Sequence, residues 1–263
     1  MHPVRTSLLP ALAGLVLGCL PGLSSCREAE RENRAEATPP AAVETMPEHF
    51  TGTWTFRSPD GHIEAIREMR DGKVCGTVTE FYENGTVREK YTRIDGKLQG
   101  QFLRYHPNGD LEISSFYKDN LLDGVATQYY ESGNRVRSTQ PYRAGKRDGA
   151  ITLYYRDGTI HGVIGYNNDK MEGDRICYYP NGKIQEEILA ISNDRTSYTV
   201  RFYFENGQLS ETYRIMDRFT TGEYLAYYED GSLRRKGQYR NGDMVGEWVF
   251  YDRDGQQTTI RYD

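Results

Sequence analysis

Cysteine and histidine are scarce in this chain, with four and five copies among 263 residues. A nucleophilic Ser or Cys needs a His and a carboxylate to converge on it. Beyond the first 25 residues the histidines are His49, His62, His106 and His161, and they share no register. A metal centre needs His, Cys or carboxylates at ligand spacing. Only Asp252-Arg-Asp254-Gly255 faintly resembles a calcium loop, and it lacks the remaining acidic ligands. Basic blocks are missing too. Lys and Arg total 33 against 38 Asp and Glu, for a net charge of −5. A backbone-neutralising nucleic-acid surface needs clustered cations, so nucleic acid is not expected as the main ligand. No apolar stripe of period 3.6 is long enough for a helix. The expectation is no catalytic residue, no cofactor and no metal.

What is present is a period. Gly61, Gly85, Gly109, Gly133, Gly158, Gly182, Gly207, Gly231 and Gly255 are spaced by 24 or 25 residues. The frame is plainest in Gly246-Glu-Trp-Val-Phe-Tyr-Asp-Arg-Asp-Gly255, and it recurs back to Gly52-Thr-Trp-Thr-Phe-Arg-Ser-Pro-Asp-Gly61. A fixed period in this range marks a repeat array. The periodic glycines belong to the frame and are structural, and no phosphate-cradling loop is present.

Positions are counted from the opening Gly of each copy. Position +2 is filled by Trp54, Val78, Phe102, Ala126, Ile151, Arg175, Val200, Tyr224 and Trp248. Position +5 is aromatic in every copy except the first, which has Arg57. Position +6 adds Tyr82, Tyr130, Tyr155, Tyr179, Phe204 and Tyr228, with His106 in the same slot. Such runs of aromatic and β-branched residues, bounded by turn residues, are strands. Asn-Gly, Asp-Gly or Ser-Gly closes each run and signals a hairpin. A second run follows, then a second turn such as Asp95-Gly96 or Asn241-Gly242. Where that turn lacks Gly, Asn120, Asp169 and Asp194 stand instead. These types best tolerate positive φ after Gly, which points to a left-handed slot. Arg218 breaks the slot, and Tyr198 replaces an opening Gly, so residues 189–221 are the least regular section. The fold expected over residues 49–263 is all-β: an elongated, twisted antiparallel meander of about nine hairpin repeats. Cys75 and Cys177 fall four copies apart, too far for a disulfide in a stack where each copy touches its neighbours.

The alternation of strands puts +5 and +6 on opposite faces. One tyrosine row is then free for a ligand, and Tyr130, Tyr155, Tyr179 and Tyr228 are the candidates. Most such rings pack on one another. His62 and His161 follow turns and are expected in solvent, as are Glu80, Glu83, Glu131, Glu205 and Glu229.

The N-terminus differs in kind. Arg5 and the apolar run from Leu8 to Leu17 have the form of an export signal, and the run is too short to span a bilayer. Leu23-Ser24-Ser25-Cys26 resembles the bacterial lipobox. That resemblance implies removal of residues 1–25 and a lipid on Cys26. Val16-Leu-Gly-Cys19 is a rival site with a bulky Leu17, and an ordinary secretory signal is the other reading. Arg27 stands where an inner-membrane retention signal would often have Asp, which favours the outer membrane. Residues 26–48 are polar and charged and are expected to be a disordered tether.

The frame Gly-x-Trp-x-x-Tyr-Tyr-x-Asn-Gly, as in Gly149-Ala-Ile-Thr-Leu-Tyr-Tyr-Arg-Asp-Gly158, resembles the MORN-type repeat in its bacterial variant. Many such chains carry the label of YwqK-type antitoxins, which implies binding of a partner toxin in the cytosol. Together these features make a lipid-anchored, non-enzymatic binding or scaffold protein of the bacterial envelope the leading expectation. Its partner would be a protein or an envelope polymer. An antitoxin-like inhibitor and a glycan-active enzyme are the rivals.

Overall fold

The computed structural model describes residues 45–190 and 196–263, and the regular structure there is entirely strand. The signal segment, Cys26, the tether up to residue 44 and Asp194 lie outside the described residues. The described residues fall into two compact units, one ending at Gly173 and one running Asp174–Asp263.

The first unit contains β1 (Gly52–Arg57), β2 (Ile63–Arg70), β3 (Lys73–Phe81), β4 (Val87–Ile94), β5 (Lys97–Tyr105) and β6 (Leu111–Lys118). It continues with β7 (Leu121–Leu122), β8 (Gly124–Tyr129), β9 (Val136–Arg143), β10 (Lys146–Arg147), β11 (Gly149–Tyr154) and β12 (Ile160–Asn167). β13 (Lys170–Tyr178) leads into the second unit, with β14 (Ile184–Ala190), β15 (Ser197–Tyr203), β16 (Leu209–Met216), β17 (Phe219–Tyr227), β18 (Leu233–Arg240), β19 (Asp243–Tyr251) and β20 (Gln257–Tyr262). Sequence neighbours pair antiparallel, as in β3–β4 and β17–β18. The fold is therefore the all-β hairpin meander that the period implies.

Two turn chemistries alternate. The second turn is a two-residue loop: Ile94 pairs with Lys97, and Asp95 and Gly96 have φ of 50° and 76°. Positive φ at both central residues is the type I′ turn, whose twist matches the strands it joins. Asn120 (φ 69°) and Asp169 (φ 67°) take the left-handed slot as expected. Arg218 does not break it. It adopts φ 73° between the paired Met216 and Phe219. The closing turn is longer. Gly85 donates its amide to Tyr82 O, and Tyr82 donates its own to Thr86 O. Only the Gly has positive φ (81°), so Asn84 is chosen for its side chain and not for left-handed backbone. Asn84 Oδ1 accepts the Thr86 amide at 2.9 Å, and Asp157, Asn181, Asn206 and Asp230 repeat this Asx bond.

The opening Gly has its own cause. Between Lys90 and Thr92, Thr212 and Arg214, and Lys236 and Gln238 one residue is skipped, while the partner strands β5, β17 and β19 skip three, so the extra residues bulge from those partners. The bulged stretches begin at Gly100, Gly222 and Gly246, with φ of 77°, 74° and 67°. A bulge needs a residue free to take such φ. Tyr198 cannot supply one, and β14–β15 accordingly pairs without a shift. The irregular copy is thus the more regular ladder.

Side chains at +2 make the cores. In the first unit Val78 is buried with Ala65 and Met69, and the Tyr91 and Phe102 rings stack at 5.9 Å. In the second, Tyr224, Ala226 and Trp248 are buried, with Tyr213, Tyr239, Phe250 and Tyr262 packed around them. Cys75 and Cys177 remain thiols, one in each unit.

Candidate functional site

The strands stop at +5, for example at Phe81, Tyr154 and Tyr227. Position +6 is therefore the first residue of the closing turn and not the next residue on the opposite face. This corrects the alternation expected for the tyrosine rows. From the turn, each ring lies along the following copy. Tyr82 donates its hydroxyl to Tyr105 O at 2.7 Å, and Tyr130 to Tyr154 O at 2.7 Å. Tyr179 donates to Tyr203 O at 2.7 Å and Tyr228 to Tyr251 O at 2.8 Å. The acceptor is always the +5 carbonyl one copy on. Arg156 and Arg253 cover the faces of Tyr130 and Tyr228 at 4.9 and 5.5 Å. Tyr155 packs on His161 with ring centroids 4.4 Å apart. Tyr130, Tyr179 and Tyr228 thus have their hydroxyls engaged in joining copy to copy.

Asn at +8 adds a second tie. Asn84, Asn181 and Asn206 donate their side-chain amides to Pro107 O, Glu205 O and Glu229 O at 2.9, 3.0 and 2.8 Å. Asp157 and Asp230 keep the Asx bond but have no hydrogen to donate across.

These ties set two stability expectations. Tyr179→Phe leaves the half-buried Tyr203 carbonyl without its donor and should cost about 1 kcal/mol in thermal unfolding. His106 fills a +6 slot, but its Nε2 is buried without a hydrogen-bond partner. His106→Tyr restores the hydroxyl and should raise the melting temperature of the first unit, by about 1 kcal/mol of stability.

The charged groups are also structural. Glu80 is not solvated. Arg88 donates to it at 2.5 Å and Tyr91 at 3.1 Å. Burial pushes its carboxyl up, but those bonds and the Arg88 and Arg67 charges outweigh it and hold the group below the usual carboxylate range. Glu83, Glu131, Glu205 and Glu229 are exposed, as expected. His161 is half-buried against Tyr155 rather than in solvent, and burial lowers its pKa. In the second unit Glu186 is buried and takes Arg175 Nη2 on both oxygens at 2.7 Å. Asp252 Oδ1 accepts the Asp254 and Gln256 amides, which accounts for the loop of calcium-like appearance. No group of three or more potential metal ligands gathers among the described residues.

Burial pushes the Tyr213 phenol up to about 12, with the Glu211 charge adding to it. Tyr224 is raised by the same two causes in the same order. An unfolded tyrosine ionises near pH 10. Between pH 10 and 12 the folded chain holds a proton that the unfolded chain has lost, so stability falls as pH rises through that window. Alkaline unfolding followed by circular dichroism should begin there, and Tyr213→Phe should move its onset upward.

The side chains left facing solvent differ from copy to copy. Phe116 and Val125 are exposed in the first unit, and Met216 and Phe219 in the second. Met216 and Phe219 close the Asp217–Arg218 turn, where Arg143 and Lys146 close the equivalent one in the first unit. Composition could have flagged this apolar pair, since it departs from the basic type common at that place.

Residues 74–95, 98–119, 122–142, 171–189 and 220–241 match the MORN repeat variant. No curated protein matches the chain. Among solved structures, the chain is similar to one in the Tc holotoxin pore of Photorhabdus luminescens. The two are 14% identical, with a TM-score of 0.20 over 80% of this chain and 13% of that one.

Proposed function

Because the chain is built of MORN-variant repeats, we propose that it is a non-enzymatic binding or scaffold protein of a bacterial envelope. It is held to the membrane by a lipid on Cys26, and it engages a protein or an envelope polymer through its repeat surface. The observation that carries the binding role is the division of labour within the repeat. Tyr130, Tyr179 and Tyr228 are consumed in joining copies. The exposed positions vary freely on that frame, and at Met216 and Phe219 they present an aromatic and a Met to solvent. Aromatic, Met and Arg side chains are enriched where protein partners bind. The envelope location rests on the lipobox-like Leu23-Ser24-Ser25-Cys26 and the charged tether after it.

Palmitate labelling with membrane fractionation tests the anchor, comparing the natural chain with Cys26→Ala. Label that disappears in the variant supports the proposal. Soluble cytosolic protein without label in either would remove it and favour the antitoxin-like reading. A photoreactive residue at position 219, cross-linked in the native host, tests the surface. A specific adduct there, absent when the residue is placed at exposed Glu83, is the expected result.

A further inference from the structure

We infer that the outer edges of β1 and β20 are complementary, and that a second copy of this chain docks β20 against β1 so that the repeat continues in phase from molecule to molecule. Among the described residues β1 pairs with β2 alone and β20 with β19 alone. Ser58 donates its amide to His62 across its own hairpin. By alternation Thr53, Thr55 and Arg57 direct their amides and carbonyls away from β2. The described residues ahead of β1 do not cover that edge. They turn the other way, with His49 Nδ1 2.6 Å from Asp71 and Phe50 O accepting the Gly72 amide. Neither strand contains the Pro or Lys that blunts an exposed edge.

The two edges are of opposite type. β1 is a first run and β20 a second run. Inside the array a second run is always followed by a first run, as β18 is by β19. Tyr262 stands opposite Gly246 as Tyr239 stands opposite Gly222. β20 is therefore the counterpart of β18, and β1, opening at Gly52, is the counterpart of β19. Transposing the β18–β19 register places Thr258 opposite Phe56, Thr259 opposite Thr55 and Tyr262 opposite Phe50 of the second copy. Strand direction and face are then correct with no rearrangement.

The side chains fit this junction. Within the array an aromatic of the second run packs on the next +2 ring, as Tyr213 does on Tyr224 at 6.1 Å and Tyr239 on Trp248 at 5.0 Å. Across the new junction Tyr262 meets Trp54, whose ring packs on Phe50 at 5.2 Å. Within the array a +6 side chain lies beside the next +5 residue, as Tyr228 does beside Tyr251. Here the pair is Asp252 and Arg57. Arg57 is the one cation at +5 and Asp252 the one acid at +6 in the nine copies. The copies that depart from the frame thus depart with opposite charges at the two places that would meet. Such a contact is heterologous, so it runs on or closes a ring, and it does not stop at a two-fold dimer.

Cysteine cross-linking of the full chain tests this. Facing residues of an antiparallel pair have Cα atoms about 4.5–5.5 Å apart, within disulfide reach. Thr55→Cys and Thr259→Cys, mixed and oxidised, should give a band of twice the chain mass that neither variant nor the natural chain gives alone. Adding Arg57→Glu to Thr55→Cys should reduce that band severalfold. A band from Thr55→Cys alone would mean that two β1 edges pair about a two-fold, and would overturn the inference. So would the absence of any band from the mixture while circular dichroism shows both variants folded.

Discussion

Replacing Trp248 with alanine should cost the second unit about 4 kcal/mol, the largest loss expected from any single change in its core. The indole is 0% exposed. Tyr224, Tyr239, Phe250 and Tyr262 surround it with ring centroids 5.0 to 6.4 Å away. Its Nε1 donates to Gln238 O at 3.2 Å, so truncation also strands an acceptor. No neighbour can collapse into the space, because the same aromatics are fixed by their own strands. Gly237→Ala should be comparably damaging by the opposite route. A Cβ there would lie 2.1 Å from the indole ring. Urea unfolding by far-ultraviolet circular dichroism measures both. A midpoint shift worth less than about 1 kcal/mol for Trp248→Ala would mean that the aromatic cluster is not what holds β17 to β20 together.

The second large effect concerns the buried ion pair. Glu186→Ala should destabilise the second unit by about 3 kcal/mol, because Arg175 is left charged in the core without its carboxylate. Arg175 occupies +2, the position that buries Val200, Tyr224 and Trp248 in later copies. Its Nε is already buried without a partner, so the guanidinium depends on Glu186 for its compensation. The pair itself is not expected to be strongly stabilising. Arg175→Met combined with Glu186→Leu puts the apolar character of +2 back, and the double variant should approach the stability of the natural chain. Single and double variants form a cycle whose coupling should exceed about 2 kcal/mol. Additive losses would show that Arg175 is hydrated in solution and that the pair is a surface one.

Much of the fold was legible because its determinants are local. The 24-residue period, the strands and both turns each depend on residues a few positions apart. Asn120 and Asp169 could be assigned to left-handed backbone from residue type alone, since few side chains tolerate it. Arg218 shows the limit of that rule. The ladder on either side, closed by Met216 and Phe219, holds an unsuitable residue in the same conformation.

What the sequence could not decide was which groups face which across copies. Tyr130, Tyr155, Tyr179 and Tyr228 form a row that the sequence alone offers to a ligand. The bonds that engage Tyr130, Tyr179 and Tyr228, like that of Tyr82, run 23 or 24 residues along the chain, and they follow from +6 lying in the turn rather than in the strand. Glu80 and His161 looked solvated for the same reason, because their partners Arg88 and Tyr155 meet them only once hairpins pair in register. The opening glycines were visible as a period, but their purpose, to open a bulge in the preceding pair, appears only in the register of β4–β5, β16–β17 and β18–β19. Sequence alone thus determined the repeat, its strands and its turns, which are set by backbone preferences within a few residues. Tertiary structure alone decided the core, the ties between copies and the surface left to face a partner, because burial and hydrogen bonding depend on the strand beside each residue and not on the residue before it.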